Sequence, residues 1–457
     1  MTSTRSVDQA DIAALRRAVR GAVHRRTDPG YATVGFNVAV TAHPWAVVDV
    51  LDAADVGAVM GFASANDMTV SVWATGHGAT GVDGRSILVR TTALDVCEID
   101  PAAHTARIGA GVRWQQVLDA AAPLGLAPLC GSAPHVGVAG FLSGGGIGPL
   151  VRTVGASSDH VRSITVVTGG GVLKHTTPES NPELFWGLRG GKATLGIIVE
   201  VVVDLLPIAE IYGGAIYFDG ADADAVAHRW RDWAVGLPRE VSTSLALLRL
   251  PEMPGIPEPL AGRLSVAVRV AAAGDLAAAA GLVAPIRALG EPLLDGLGPM
   301  PYAQIGLIHA DPTAPMPVTE RGALLRELPD AAISALLAAA GPASSSPLTV
   351  VELRLLGGAF ADEPRVRSAL CHRRAAANLH TVGVLVPPIA EAVIAAAAHT
   401  VEAMTPWATG GELPNFAATA DAARIRRCYD EDTYAWLSAL AAQHDPHGVL
   451  DVGQVVR

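Results

Sequence analysis

Two glycine-rich stretches contain the residues whose types and spacing are best suited to chemistry. The first, residues 74–81, reads A-T-G-H-G-A-T-G and places His77 between two glycines. The second, residues 131–148, reads G-S-A-P-H-V-G-V-A-G-F-L-S-G-G-G-I-G. Glycine lets a backbone approach a ligand closely, and successive peptide N–H groups can hold a phosphate without a lysine. The second stretch therefore predicts a wrap around a large, mostly uncharged cofactor; the alternative is an ordinary glycine-rich connection.

Neither stretch fits the two common nucleotide-binding motifs. The second has no G-K-[ST] ending, which excludes a Walker-type phosphate loop. Residues 76–81 match G-x-G-x-x-G, but a Rossmann fingerprint must open a helix within a βαβ unit. Here V-D-G-R-S follows, and then a strand. The context therefore indicates a turn and argues against a dinucleotide-binding fingerprint.

The first half of the chain is predicted to hold both stretches between short strands and short helices. The periodicity of apolar residues, with the turn signals between them, gives these assignments. Helices are expected at 8–24, 56–65, 114–122 and 181–188, and strands at 44–50, 69–73, 87–90, 96–99, 105–109, 161–168, 172–175 and 196–206.

After about Pro207 the predicted elements become longer. Strands are expected at 214–218, 242–250, 263–271, 348–356 and 380–386, helices at 221–235, 276–289, 331–339 and 388–403, and long loops at 250–262 and 311–317. A last helix is expected at 433–444. Long strands with helices between them predict one antiparallel sheet backed by helices, so the fold class is α+β.

Composition excludes several classes of protein. A chain of 457 residues, 50% hydrophobic and 17% charged, is expected to form two domains with large cores. The net charge of −11, without a basic face, argues against a nucleic-acid or anionic-membrane partner. Four scattered cysteines favour a reduced, cytoplasmic protein without a zinc or other metal site. The polar N-terminus is not typical of a signal peptide, and no apolar run has the length of a membrane span.

The order of motifs resembles one family of flavoproteins. After the two stretches come P-L-V-R-T-V-G-A-S-S-D-H-V, then N-P-E-L-F-W-G-L-R-G-G, and near the end Y-D-E-D-T-Y-A-W-L-S-A-L-A-A-Q-H-D-P. This series is similar to the berberine-bridge-enzyme-like branch of the FAD-linked oxidases, the vanillyl-alcohol-oxidase superfamily with its PCMH-type FAD-binding domain. The similarity extends over nearly the whole chain, is strong in residues 69–205 and is weak in the middle two hundred residues.

The resemblance implies two lobes around FAD. Residues 1–207 would form the FAD-binding domain, 208–407 a substrate-binding domain whose sheet covers the flavin ring, and 408–457 a segment returning to the FAD-binding domain. His77 matches the histidine that relatives bond to the 8α-methyl of the flavin. A second link through cysteine is not expected, because Ala133 stands at that cysteine's position and Cys130 lies three residues early.

Several further residues are implied to contact FAD, although the match to the family is incomplete. Trp73 stands where relatives often have arginine, and Thr194-Leu195-Gly196 replaces a G-N-F-G motif. Val136 matches a position linked in relatives to oxygen access, which favours an H2O2-forming oxidase. The expected cofactor-binding residues are His77, Ala74, Thr75, Gly76, Gly78, Ala79, Gly131, Ser132, Val136, Gly137, Gly140, Phe141, Ser143, Gly144, Gly145, Gly146, Gly148, Gly196, Ile198, Asn415 and Phe416.

The catalytic base is the least determined part of the site. Relatives often use tyrosines or a carboxylate, one of them the first tyrosine of a Y-x-N-Y loop, but here that loop reads Leu413-Pro-Asn415-Phe416. The candidates are therefore Glu352 and Arg354, which lie two apart on a predicted strand, with Asn415 beside the flavin. Tyr302, His309 and Asp311 are further candidates. A lobe-to-lobe ion pair is the alternative for Glu352 and Arg354, and an acidic phenol or enol substrate would need no strong base.

The function that this resemblance implies is oxidation of a small molecule by covalent FAD with dioxygen as electron acceptor. The substrate would be an alcohol, an amine or an activated C–H of a secondary metabolite. The alternatives are a flavoprotein that sequesters a small molecule for resistance, and a flavin-dependent cyclase or oxygenase. The oligomeric state stays open.

Overall fold

The structure is a computed structural model that describes residues 10–457. Its α-helices are α1 (Ile12–Ala18), α2 (Ala53–Ala65), α3 (Trp114–Ala121), α4 (Val138–Ser143), α5 (Val151–Val154), α6 (Pro182–Leu188), α7 (Ala223–Val235), α8 (Leu276–Arg287), α9 (Asp330–Ala340), α10 (Ala390–Ala403), α11 (Ala422–Arg427) and α12 (Glu431–His444).

The strands divide among three sheets. They are β1 (Val23–His24), β2 (Ala46–Asp49), β3 (Thr69–Trp73), β4 (Ser86–Arg90), β5 (Cys97–Asp100), β6 (Thr105–Gly109), β7 (Val161–Thr168), β8 (Leu173–Thr176), β9 (Gly196–Asp204), β10 (Glu210–Asp219), β11 (Val241–Arg249), β12 (Leu264–Ala272), β13 (Leu294–Asp295), β14 (Gly298–Pro301), β15 (Val318–Leu325), β16 (Val350–Leu355) and β17 (Ala377–Val384).

The first two sheets carry the glycine-rich stretches. One has the order β1-β2-β4-β3, in which β2 and β3 run parallel to β4, and α2 covers it. Helix α2 begins at Asp52, whose carboxylate accepts hydrogen bonds from the Ala54 and Asp55 N–H groups. It buries Val56, Val59 and Met60 on one face. The other sheet, β5-β6-β9-β7-β8, is antiparallel and packs on α3 and α6 around the fully buried Trp114.

The third sheet confirms the antiparallel sheet predicted for the second half. Its order is β13-β10-β12-β11-β16-β17-β15, and β14 also pairs with β10. One face is apolar and packs on helices α7–α10, as Leu245, Leu353 and Leu379 show. Successive side chains of a strand alternate between the faces, so Glu352 and Arg354 emerge on the opposite face. That face meets the glycine-rich stretches across a cavity.

The closing segment contacts the first half of the chain. The Val70 N–H on β3 donates to the Val449 carbonyl at 2.8 Å, and Trp436 of α12 stacks on Trp186 of α6 with ring centroids 4.3 Å apart. These contacts agree with a return of residues 408–457 to the FAD-binding side. The division at 207 and 407 remains a prediction, and residues 1–9 lie outside the described range.

Several parts of the prediction differ from the structure. The helix expected at 8–24 extends only over Ile12–Ala18, because the chain turns near Gly21, where the Asp49 carbonyl leaves no room for a side chain, and Val23–His24 pair with β2. Asp8 itself lies outside the described residues. Strand β15 and the short helix α4 inside the glycine-rich stretch were not predicted. No helix of residues 10–457 has both the length and the hydropathy needed to cross a bilayer.

Candidate functional site

A cavity of about 480 Å³ lies between the two glycine-rich stretches and the polar face of the large sheet. Most of the residues expected to bind the cofactor line it: Ala74, Thr75, Gly76, His77, Gly78, Ala79, Gly131, Ser132, Val136, Gly137, Gly140, Phe141, Ser143, Gly196, Ile198, Asn415 and Phe416. The structure therefore brings these residues, which are far apart in the chain, together on one cavity wall.

Four of the expected glycines do not line this cavity: Gly144, Gly145, Gly146 and Gly148. They belong to the segment that directly follows α4. Asn415 holds this turn, because its Oδ1 accepts from the Gly146 N–H and its Nδ2 donates to the Phe141 carbonyl, both at 3.1 Å. Their role in the structure is packing of the backbone, with Asn415 as the link to the cavity.

Replacing Gly148 by alanine is expected to destabilise the fold. A Cβ there would lie 2.0 Å from the Cys130 carbonyl oxygen, so the backbone must shift, at a cost of about 1–3 kcal/mol. The unfolding midpoint in urea should fall. The control is Gly61→Ala in the middle of α2, where a Cβ meets no atom within 4 Å. That change should raise the midpoint slightly, because alanine is more favourable than glycine inside a helix by about 0.5–1 kcal/mol in the free energy of unfolding. An unchanged midpoint for Gly148→Ala would contradict the packing role.

His77 is held by its neighbours with one ring nitrogen left free. Its Nδ1 lies 2.9 Å from Thr75 Oγ1, and its ring stacks on Phe36 with centroids 4.1 Å apart. The Nε2 atom is buried without a hydrogen-bond partner, and the ring lines the cavity. Gly76 precedes it with φ +71°, and a Cβ there would lie 2.6 Å from Gly35 Cα. Glycine is therefore required to bring the histidine to this position.

The electrostatic surroundings keep the His77 imidazole neutral. Burial above all, with the nearby His135 and Arg113, lowers its pKa to about 3. A neutral ring with its proton on Nδ1 donates to Thr75 and carries a lone pair on Nε2. This is the state in which an imidazole nitrogen acts as a nucleophile.

The polar face of the large sheet carries a buried cluster that includes both predicted strand residues. Glu352 Oε1 accepts from Ser244 Oγ at 2.7 Å and from Arg269 Nη1 at 3.0 Å, and lies 3.1 Å from His309 Nε2. Arg354 Nη2 donates to Glu352 Oε2 at 3.0 Å. Burial acts to raise the pKa of the Glu352 carboxyl, but Arg354, His309 and Arg269 together hold it well below its ordinary value. Of the cluster, only Arg354 lines the large cavity.

Sequence reasoning missed the carboxylate that does line the cavity. Glu320 on β15 accepts at Oε1 from the Ala418 N–H and lies at Oε2 3.3 Å from His380 Nε2 on β17. The His380 ring packs edge-on against Phe416, with centroids 5.0 Å apart. Burial favours the neutral acid, yet the hydrogen bond and charge of His380 lower the pKa of Glu320 below its usual value. The group is therefore an ionised carboxylate facing the cavity.

Lys192 is a second cavity residue that the sequence did not single out. It follows the R-G-G motif, and its Nζ donates to the Gly140 carbonyl at 3.3 Å. Burial lowers its pKa to about 8. The R-G-G motif could have pointed to Lys192, since this lysine is one of the few charged residues near the glycine-rich stretch.

The other candidates lie away from the cavity wall. Tyr302 is buried, and its hydroxyl donates to the Pro128 carbonyl at 2.6 Å, so its contact is structural. Cys130 is buried beside it, with a pKa raised to about 12 by burial. His309 belongs to the Glu352 cluster. Asp311 lies in the loop before β15, where its charge offsets part of the lowering of the His135 pKa by burial.

The comparisons with known proteins agree with the geometry of the cavity. Residues 44–177, which include both glycine-rich stretches, match the family described as FAD binding domain. The (R)-6-hydroxynicotine oxidase of Paenarthrobacter nicotinovorans is 32% identical over 194 residues, 41% of this chain and 42% of that protein. The alignments with the first two curated relatives span 42% and 52% of their lengths, less than two thirds. The chain thus contains an FAD-binding domain.

Solved structures share the fold over its full extent. A 6-hydroxy-D-nicotine oxidase from Arthrobacter nicotinovorans has a TM-score of 0.84 at 22% identity and covers 96% of this chain and 98% of that one. The BBE-like 1 protein of Physcomitrella patens has a TM-score of 0.83 at 18% identity, covering 96% and 97%. The chain therefore has the fold of these proteins, in agreement with the fold that the motifs implied.

Proposed function

We propose that this protein is an FAD-dependent oxidase of a small molecule, with FAD bonded to His77. The observation that carries the proposal is the unpartnered Nε2 of His77, buried in the wall of a cavity that the FAD-binding domain forms. The relatives named as nicotine oxidases support an oxidoreductase that acts on a small organic substrate.

The residues present fit FAD. Gly140 lines the cavity, and a Cβ on it would meet no protein atom within 4 Å, so the wall there leaves room for a ligand. The adjoining wall is backbone and small side chains from residues 74–79 and 131–137. We assign FAD to this wall, with His77 as its covalent anchor and Asn415 and Lys192 at its edge. FAD, when bound, supplies a two-electron acceptor that dioxygen can reoxidise.

The polar face of the large sheet supplies the proton acceptor. The ionised Glu320 carboxylate lies on the opposite side of the cavity from residues 131–140, on a rigid strand rather than a loop. A base must be ionised at the working pH and within reach of the substrate proton. Glu320 meets the first condition, and a proton taken at Oε2 stays within 3.3 Å of His380 Nε2. We therefore assign Glu320 as the base, with His380 holding it in position.

Three finer features rest on the resemblance. Val136 lines the cavity, which supports dioxygen as the acceptor and H2O2 as the product. We expect a single covalent link, because Cys130 is buried and does not line the cavity. Phe416, Val136 and Phe141 on the wall support an aromatic or lipophilic secondary metabolite as the substrate.

The purified protein is expected to hold about one FAD per chain and to behave as an oxidase. After photoreduction under nitrogen, admission of air should restore the oxidised spectrum and release about one H2O2 per FAD, because electrons leave flavin for dioxygen in pairs. The readouts are absorbance and a peroxide assay, with protein kept under nitrogen as the control. A protein that takes up no FAD would end the proposal. Slow reoxidation in air, with fast transfer to a dye, would contradict the oxidase and indicate a dehydrogenase.

A further inference from the structure

The Glu352 cluster holds more positive than negative charge. It contains the guanidinium groups of Arg269 and Arg354 and one carboxylate, and the side chains of all three are at most 6% exposed. Burial and the two arginines lower the pKa of His309, so the imidazole is neutral. Buried charges are normally paired, and an unpaired one is costly. The cluster therefore has one positive charge without a partner among residues 10–457.

Arg354 carries this unpartnered positive charge. Its Nη2 donates to Glu352 Oε2 and lies 3.0 Å from His309 Nε2, whereas its Nε and Nη1 are buried without a partner. Most buried polar groups in native proteins are hydrogen-bonded, so two orphaned nitrogens on one guanidinium are exceptional. Glu352 fixes one end of the group, and the remaining N–H donors are free to bind a ligand.

Arg354 lines two cavities, and only one of them has room for an organic ligand. The small cavity on the other side, between Ser244, Arg269 and His309, has about 20 Å³, room for a single water molecule. The 480 Å³ cavity is also lined by Arg354, next to Phe416, whose ring centroid lies 5.6 Å from the guanidinium carbon. Glu320 on the same wall is engaged by His380 and the Ala418 N–H. A ligand in this cavity is therefore the available partner for Arg354.

We propose that Arg354 binds an oxyanion of the substrate, a carboxylate or a phenolate on an aromatic body that packs against Phe416. The proposal rests on the proposed function, since it takes this cavity as the place of oxidation. An arginine N–H to a charged oxygen is among the stronger hydrogen bonds in proteins, and a neutral oxygen gains much less from it. Arg354 thus selects acids over neutral molecules of the same shape and sets their orientation toward Glu320.

Binding of matched acid and amide pairs tests this assignment. The probes are benzoate with benzamide and 1-naphthoate with 1-naphthamide, titrated calorimetrically into the FAD-loaded protein at pH 7.5. Each acid should bind at least about 10-fold more tightly than its amide. Arg354→Met should weaken acid binding by about 10- to 100-fold and change amide binding less than about twofold, whereas Arg354→Lys should keep part of the preference.

Arg321→Met provides the matched control, because this arginine follows Glu320 on β15 and its side chain leaves the sheet by the other face. Its acid preference should equal that of the unmodified protein. Equal binding of acid and amide to that protein would overturn the proposal, as would an equal loss of both in Arg354→Met. Loss of FAD from a folded Arg354→Met would also overturn it, by placing the arginine on the cofactor. Loss of FAD from the unmodified protein would instead overturn the proposed function.

Discussion

His77→Ala is expected to abolish the covalent attachment of FAD completely. On a denaturing gel viewed under ultraviolet light after acid treatment, the band of the unmodified protein should fluoresce, and that of the variant should not. The reason is geometric: Nε2 of His77 is buried at the cavity wall without a partner, while Thr75 engages Nδ1 and Phe36 fixes the plane of the ring. The Cys130 thiol is a much poorer nucleophile, since it is fully buried and its pKa is raised to about 12.

The matched control is His135→Ala. The His135 ring lies 4.7 Å from that of His77, and its Nε2 is likewise buried without a partner, but His135 does not line the cavity. Its variant should keep the fluorescent band. Fluorescence lost with His135 and kept without His77 would move the linkage to the second histidine. A band without fluorescence in the unmodified protein, with FAD released on denaturation, would leave only non-covalent binding.

The pH dependence of attachment follows from the lowered pKa of His77. A histidine with the ordinary pKa would lose its nucleophilic form as pH falls through about 6.5. With a folded-state pKa of about 3, His77 stays neutral across that range. Loading of FAD into apoprotein should therefore proceed at similar rates at pH 5.5 and pH 7.5. A rate that falls with protonation near pH 6.5 would contradict the assigned state.

Glu320→Gln is expected to lower the rate of flavin reduction by substrate by about 10²–10⁴-fold, the usual contribution of a general base. The amide keeps the size of the side chain but cannot accept the proton. The measurement is stopped-flow bleaching of flavin absorbance under nitrogen with a substrate that bleaches the unmodified protein. FAD content should not change, because Glu320 lies outside the wall assigned to FAD, whereas the unfolding midpoint should fall slightly, because the ionised carboxylate is stabilised by His380.

Two further variants distinguish the loss of a base from the loss of a negative charge. Glu327→Gln removes an exposed carboxylate beyond the end of β15 and should leave the rate unchanged. Glu352→Gln disturbs Arg354 and should weaken substrate binding more than it slows bleaching at saturating substrate. Because the pKa of Glu320 is lowered, its ionised form persists as pH falls, and bleaching should be retained down to about pH 4.5. An unchanged rate in Glu320→Gln would remove the group from the mechanism.

The sequence predicted the FAD side of the site better than the substrate side. Residues 69–73 form the predicted strand, and His77 follows it directly in a turn, because a β-branched alternating run and a G-H-G turn are local signals. Helix α4 was missed because its V-A-G-F-L-S sequence contains a glycine and stands among glycines. Local signals were thus sufficient for the position of His77 but not for the helix after it.

The sequence did not single out the proposed base, Glu320, because its strand was missed. Strand β15 reads V-T-E-R-G-A-L-L, in which Glu320 and Arg321 are adjacent and both charged, so no alternation of polar and apolar residues is visible. The strand tolerates a charge on each face because His380 pairs with Glu320 on one face, while Arg321 on the other face stays half-buried. Glu352 was found by alternation, but its engagement by Arg269 and His309 depends on strand order, which no local pattern contains.

The two faces of the large sheet have different roles: one stabilises the fold and the other faces the cavity. Residues 245, 353 and 379 form the core with helices α7–α10, whereas Glu352, Arg354 and His380 project from the same strands toward the cavity. Changes at alternate positions therefore alter which molecules are accepted while leaving the packed layer and the FAD-binding wall in place. A library confined to Val318 and Arg354, which line the cavity from this face, would explore substrates without changing the apolar layer, which is a favourable starting point for directed evolution.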